Sequence, residues 1–174
     1  MLSLQNSSKI HLLETGLRDG LQAVKNYVPI KDRILIANGL IDAGVRNIQI
    51  TSFVNPKRVP QMSESEELIR RLNFKNNVEY SALVFNQIGV ERAINSKIKK
   101  VETSISLVEN YNQINLGLTN QKAKENLKKV IRIALKNRLK VRAGLQCVWD
   151  ASFNINVNLD KILRSVDLPS PLLP

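Results

Sequence analysis

The chain has 174 residues, of which 43% are hydrophobic and 24% charged, a balance typical of a soluble globular protein with its own core. The formal charge of +11 comes mostly from lysines dispersed over predicted helices, without the interleaved aromatic residues of a nucleic-acid site. No apolar run approaches the ~20 residues that cross a bilayer. The opening residues do not resemble a signal peptide, and the single cysteine excludes an internal disulfide framework. We therefore expect a cytoplasmic protein that binds neither nucleic acid nor membrane.

Short apolar segments alternate with longer helical patterns along the chain. The predicted strands are residues 10–14, 47–51, 79–84, 100–105 and 140–148, and the predicted helices are residues 29–43, 63–72, 87–96, 119–136 and 159–166. This repeat predicts an α/β fold in which parallel strands are joined by helical crossovers. An open doubly wound sheet and part of an eight-stranded (β/α) barrel both satisfy the pattern, although the turn at residues 16–20 lacks the G-x-G-x-x-G sequence of a dinucleotide fold.

Individual residues indicate where several helices begin and end. Gly44 suits the end of the first helix, whose apolar stripe includes Leu35. Ser63, with Glu66 three residues later, has the spacing of a capping box at the start of the second helix. Thr119 is the expected N-cap of the helix over residues 119–136, which carries a regular apolar face.

The first predicted strand leads into the sequence ETGLRDGLQ at residues 14–22. In either fold, chemistry belongs in the loops that follow the carboxyl ends of the strands. Arg18 and Asp19 are adjacent in this loop and are flanked by glycines, which permit close substrate approach. A carboxylate can hold a hard divalent cation, and a guanidinium can stabilise a developing enolate or carboxylate oxygen. An ordinary surface pair of Arg and Asp explains this segment equally well when it is taken alone.

The second predicted strand leads into the sequence TSFVNPKRVPQM at residues 51–62. Two prolines stiffen this loop, while Lys57 and Arg58 make it basic, which would suit a phosphate-bearing ligand. A rigid connecting loop with solvent-facing cations is the simpler interpretation of this segment by itself.

Together the two loops resemble the hydroxymethylglutaryl-CoA lyase family, through RDGLQ at 18–22, TSFV at 51–54 and VPQM at 59–62. The resemblance continues more weakly to about Leu163 and covers only the first part of the family's domain. It implies a partial (β/α)8 TIM barrel of about five βα units, with the C-terminal units missing and the active site at the carboxyl ends of the strands. We expect this domain to span residues 1–164, followed by a Pro-rich irregular tail.

The family resemblance also implies a reaction and its residues. Members cleave hydroxymethylglutaryl-CoA to acetyl-CoA and acetoacetate, in leucine degradation, with Mg²⁺ or Mn²⁺. The resemblance assigns Asp19 as a metal ligand, Arg18 as the cation that stabilises the enolate, and Gln22 as part of the substrate pocket. Gln49 occupies the place of a catalytic Glu of the family, so it keeps a hydrogen-bond acceptor but loses the charge.

The resemblance also implies two further kinds of metal ligand, a His-x-His pair and an Asn, and a flexible loop that carries a Cys. None of these has a counterpart in this sequence. The single histidine, His11, is interpreted as a packed or partly exposed residue of the first strand, and Cys147 as a small buried residue of the fifth. Asp19 alone would leave a divalent ion mostly hydrated, which predicts weak affinity. We therefore expect a truncated lyase that is inactive by itself.

Two other functions remain open. A related acyltransferase of the isopropylmalate or citramalate synthase type runs similar chemistry in the condensing direction, although residues 51–54 and 59–62 favour the lyase. The alternative is a non-catalytic fragment that pairs with a separately encoded second half. An incomplete parallel barrel leaves a sheet edge and an apolar interior open, which a homo-oligomer or a complementing C-terminal half would cover.

Overall fold

The computed structural model describes residues 10–148, and this part of the chain contains one sheet of four parallel strands. The strands are β1 (Asn47–Ser52), β2 (Glu79–Leu83), β3 (Lys100–Ser106) and β4 (Lys140–Gln146), in the spatial order β1-β2-β3-β4. The helices are α1 (Ile30–Asp42), α2 (Ser65–Arg71), α3 (Gln87–Ile94), α4 (Glu109–Leu116) and α5 (Asn120–Lys136). Because at least one helix lies between each pair of successive strands, the structure confirms the predicted α/β architecture and its parallel sheet.

The predicted first strand is reduced to a single parallel bridge at Glu14. The N–H of Glu14 donates to the carbonyl of Asn47 at 2.9 Å, and the N–H of Gln49 donates to the carbonyl of Glu14 at 2.8 Å. Ile10 and Leu12 are 91% and 77% exposed, so two of the three apolar side chains that indicated a strand are largely exposed. The expectation of five strands is therefore wrong for this segment, because sheet formation depends on neighbours as well as on local pattern.

The amphipathic pattern of α5 is confirmed in detail. Thr119 accepts a hydrogen bond from the N–H of Lys122 at 3.4 Å, as expected of an N-cap. The predicted apolar face packs against α3, β3 and β4, with Ala123, Leu127, Val130, Ile131 and Ala134 in the core. Burial of this face fixes the last helix of the described fold against the sheet.

The first two helices differ from expectation in particular residues. Gly44, with φ of 98°, follows α1 as predicted, but Leu35 is 70% exposed and does not belong to the buried stripe. The capping box at Ser63 is wrong, because a 3₁₀ turn over Pro60–Met62 delays the start of α2 to Ser65. Glu66 is consequently free to bind a side chain outside α2.

The carboxyl-terminal part of the described chain contains two further differences. Helix α4 is not among the predicted elements, because its sequence has no regular apolar stripe. It ends at Leu116, before Gly117 with φ of 70°. Cys147 follows β4 in a left-handed conformation (φ of 56°) and is half-buried, so its assignment as a buried strand residue is wrong. The predicted helix over 159–166 and the Pro-rich tail lie outside the described residues. None of the helices in residues 10–148 is long and apolar enough to cross a membrane.

Candidate functional site

A polar cavity of about 1140 Å³ extends from the middle of the four strands to the loops that follow their carboxyl ends. Arg18, Asp19, Gln22 and Gln49, the four residues singled out in the sequence, all line it. The structure therefore brings together three residues from the loop at residues 14–22 and one residue from β1.

A π-helical turn, Gly16–Gly20, presents the Arg-Asp pair to this cavity. Leu17 is buried in the hydrophobic core and anchors the turn there. The backbone N–H groups of Arg18 and Asp19 both donate to the carbonyl of Thr15, at 3.0 and 2.7 Å. This short turn, rather than a regular strand, determines the direction of both side chains.

Arg18 is held by two acceptors. Its Nε donates to Oε1 of Gln49 on β1, and its Nη1 donates to Oδ1 of Asp19 at 2.6 Å. Burial lowers the pKa of the Arg18 guanidinium, whereas the carboxylates of Asp19 and Glu102 act in the opposite direction and raise that pKa. Gln49 itself is buried, so the acceptor that orients Arg18 belongs to the core of the sheet.

The remaining predicted site residues lie around the rim of the cavity. Ser52, the last residue of β1, donates to Oε1 of Gln22 at 3.4 Å, which places Gln22 beside the strand end. Arg58 lines the cavity, as a phosphate-binding role would require, but Lys57 is exposed and does not line it. The backbone N–H of Lys57 instead donates to Oδ1 of Asn55 at 2.9 Å and closes the turn in this loop. His11 is exposed and also lies outside the cavity lining.

Sequence reasoning missed an ion pair in the same cavity. Glu102 on β3 is 5% exposed, and its Oε1 accepts a hydrogen bond from Ser81 at 2.6 Å. Its Oε2 accepts from Nη1 of Arg142 on β4 at 2.7 Å. A carboxylate inside an otherwise buried strand is rare unless it is paired, so the sequence KVETSIS did carry a signal at Glu102. The partner could not be identified without the register of β3 and β4.

The family resemblance implies a divalent cation, and Asp19 is the residue placed to hold one. Its carboxylate is 66% exposed and borders the cavity, with one oxygen bonded to Arg18. Residues 10–148 contain no group of three His, Cys, Asp or Glu side chains arranged to surround a metal ion. The described residues therefore fit attachment of a hard cation through one carboxylate, with water completing its coordination.

Comparison with known proteins identifies counterparts for most of the chain. A family model described as HMGL-like matches residues 9–167. The 3-hydroxy-3-isohexenylglutaryl-CoA/hydroxymethylglutaryl-CoA lyase of Pseudomonas aeruginosa is 33% identical over 150 residues, which are 86% of this chain and 50% of that protein. A hydroxymethylglutaryl-CoA lyase of Bacillus subtilis is 31% identical over 156 residues, 90% of this chain and 52% of the relative. The chain thus spans about half the length of the curated relatives it matches.

Solved structures show the same relationship. The chain superposes on the HMG-CoA lyase of Bacillus subtilis with a TM-score of 0.84 and 31% identity, covering 91% of this chain and 53% of the other. For the HMG-CoA lyase of Brucella melitensis the TM-score is 0.84 and the identity 32%, with coverage of 94% and 58%. The order of the parallel strands and the resemblance recognised at residues 18–22 and 51–62 agree with this match. The chain belongs to the HMGL-like family.

Proposed function

We propose that the cavity is the acyl-CoA site of a carbon–carbon lyase of the hydroxymethylglutaryl-CoA lyase type. The observation that supports this most is the pair of acceptors, Gln49 and Asp19, that fixes the Arg18 guanidinium in the cavity. Relatives that share the fold are hydroxymethylglutaryl-CoA lyases, and because the chain spans about half of their length, their activity enters here as a proposal.

Arg18 is assigned to the oxygen that becomes negative during cleavage. As a base takes the proton of the tertiary hydroxyl, that oxygen forms the ketone of acetoacetate, the neighbouring carbon–carbon bond breaks, and its electron pair forms the enolate of the acetyl thioester. A positive group that is already in place stabilises this charge without reorganising during the reaction. Nε and Nη1 of Arg18 are engaged by protein acceptors, so we assign Nη2 to the enolate oxygen.

Asp19 is assigned as the ligand of Mg²⁺ or Mn²⁺, and a bound ion would polarise the oxygens of the substrate. One carboxylate holds such an ion weakly, because water must supply most of its coordination. We therefore propose that this chain by itself releases acetoacetate slowly. Metal-dependent release at the roughly 1–1000 s⁻¹ of ordinary enzymes would contradict this part of the proposal.

Two rim residues are assigned to binding. Gln22, held by Ser52, offers an amide to the acyl group, since an amide can donate and accept hydrogen bonds. Arg58 is the cation of the second loop that lines the cavity, and a guanidinium matches the phosphate oxygens of coenzyme A. These roles agree with the sequence-based expectation for Gln22. Of the two basic residues noted in the second loop, only Arg58 is given a role in binding.

Nuclear magnetic resonance of the isotope-labelled chain tests the proposal directly. Added Mn²⁺ should broaden the backbone signals of Arg18 and Asp19 first, because paramagnetic broadening falls steeply with distance from the ion. Hydroxymethylglutaryl-CoA should shift the signals of Gln22 and Gln49, and should leave Glu79, at the amino end of β2, unchanged. Broadening or shifts centred on the amino ends of the strands would refute the proposed site.

A further inference from the structure

A row of polar side chains crosses the sheet at the floor of the cavity. Gln49 on β1 is in register with Ser81 on β2, and Glu102 on β3 is in register with Arg142 on β4. The hydroxyl of Ser81 donates to Glu102 and thereby joins the two pairs. Gln49 accepts from Arg18, so the row has a guanidinium at each end and the buried carboxylate of Glu102 between them, with Gln49 and Ser81 adjacent through the register of β1 and β2.

Glu102 is the acidic group of this row that solvent screens least. The side chain of Glu102 is 7% exposed, whereas the other carboxylate of the cavity, Asp19, is 66% exposed. Arg142, the basic partner of Glu102, is 60% exposed. Charges in a partly buried environment interact more strongly than charges in water and are less sensitive to salt. The negative charge of Glu102 also acts on Arg18 and raises the pKa of its guanidinium. This effect is purely electrostatic, because the two side chains, which both lie in the described part of the chain, do not form a hydrogen bond with each other.

We propose that Glu102 sets the electrostatic potential of the cavity, so that the cavity can admit a divalent cation beside Asp19 together with an anionic acyl-CoA. The charged side chains of the lining are the carboxylates of Asp19 and Glu102 and the guanidinium groups of Arg18, Arg58 and Arg142. Without the charge of Glu102, the net charge of these five residues would rise from +1 to +2. This inference deepens the proposed function and rests on it for the identity of the two ligands.

The variant Glu102→Gln removes the charge and keeps the shape. The amide of its side chain can donate to the hydroxyl of Ser81, and its carbonyl oxygen can accept from Arg142, so both neighbours keep a partner. A single unit of charge in a partly buried cavity changes ion affinity by about fivefold to about tenfold. We expect Glu102→Gln to weaken Mn²⁺ binding by this factor and to strengthen hydroxymethylglutaryl-CoA binding by a similar factor.

The two affinities are expected to change in opposite directions, which distinguishes an electrostatic role from structural damage. Structural damage would weaken the binding of both ligands. Two control variants sharpen the test. Ser81→Ala removes a hydrogen bond to Glu102 but leaves its charge, so both affinities should stay within about twofold of the unsubstituted chain. Glu79→Gln removes a carboxylate that is paired with Lys100 and Lys140 at the amino ends of the strands, and it should also change both affinities by less than about twofold.

The experiment measures Mn²⁺ affinity from the electron paramagnetic resonance of the free ion, and thioester affinity by calorimetry, on the full 174-residue chain at low salt. Urea unfolding of each variant confirms that it is folded. Weaker Mn²⁺ binding with tighter thioester binding in Glu102→Gln alone supports the inference. Unchanged affinities, or a loss of both, overturn it while the proposed function stands. If the unsubstituted chain binds neither ligand, both the inference and the proposed function are overturned.

Discussion

Nε of Arg18 donates a hydrogen bond to Oε1 of Gln49, and this bond attaches the π-helical turn to the centre of β1. Gln49 is buried, so water cannot easily take its place as the acceptor. An amide at this position therefore preserves the orientation of the guanidinium even though it carries no charge.

Replacing Gln49 by leucine should destabilise the fold. The variant leaves Nε of a half-buried guanidinium without its acceptor, which costs about 1–3 kcal/mol of unfolding free energy. Urea denaturation measures this loss. Gln49→Glu is the matched control, because it keeps an oxygen next to Arg18 and should destabilise less. A leucine variant as stable as the unsubstituted chain would show that the bond does not hold the turn.

Replacing Asp19 by asparagine should remove most of the Mn²⁺ affinity, because a neutral amide is a much poorer ligand for a hard cation than a carboxylate. Isothermal titration measures the affinity. Asp19 is exposed, so the unfolding free energy should change by less than about 0.5 kcal/mol. Asp42→Asn, at the exposed end of α1, is the control for a general loss of negative charge. Equal Mn²⁺ affinity in the two variants would refute the assignment of Asp19.

Substitution by alanine should have opposite effects on stability at two glycines, Gly89 and Gly39. A Cβ at Gly89 in α3 would lie 2.7 Å from the carbonyl oxygen of Phe53, which lines the cavity, whereas a Cβ at Gly39 in α1 meets nothing within 4 Å. Gly89→Ala should therefore destabilise the fold by about 1–3 kcal/mol, through overpacking. Gly39→Ala should stabilise it by about 0.5–1 kcal/mol, because alanine is the better helix former. Thermal unfolding that moved in the same direction for both would contradict the close approach of α3 to the loop after β1.

The stability contributed by Glu66 should depend on pH. Nε and Nη2 of Arg92 donate to its carboxylate at 2.5 and 2.9 Å, and these hydrogen bonds lower the pKa of Glu66 below its ordinary value of 4.5. A carboxylate with a lowered pKa contributes stability above its unfolded-state pKa, and this contribution is lost as the pH falls through the folded-state pKa. The same arginine stacks on Phe53 at 5.3 Å and donates to the carbonyl of Val54 at 3.0 Å, so the pair braces the loop after β1.

Glu66→Gln should cost about 0.5 kcal/mol near neutral pH, since the carboxylate is half exposed. The difference between this variant and the unsubstituted chain should shrink as the pH is lowered below 4.5. Unfolding curves measured over a pH series test this, and the same substitution in an Arg92→Met background provides the control. A difference that persisted unchanged in acid would show that the ion pair is not its source.

The parts of the fold that depend on local pattern could be predicted from the sequence. The apolar spacing of α5 and the cap at Thr119 are properties of one segment, and both are confirmed. The predicted strand near Glu14 depends on neighbours on both sides, and a single bridge replaces it. Helix α4 has no apolar stripe, so no sequence pattern indicated it.

The same distinction applies to the candidate site. Arg18, Asp19 and Gln22 share one short motif after a strand, so their common location could be predicted, and the cavity contains all three. Glu102 and Arg142 lie 40 residues apart, and only the register of β3 and β4 brings them together. In the sequence, a long-range ion pair of this kind is indicated by one partner at most. Here that indication is a glutamate in an otherwise buried strand.

The affinity of the chain for hydroxymethylglutaryl-CoA, compared between the unsubstituted protein and Arg18→Met, tests the central role of the Arg18 guanidinium most directly. Loss of a charge-assisted hydrogen bond in this half-buried position should weaken binding by about tenfold or more. Arg132→Met, on the exposed face of α5, removes the same charge far from the cavity and should leave the affinity within about twofold. Equal affinity for the thioester in Arg18→Met and the unsubstituted chain would contradict the account.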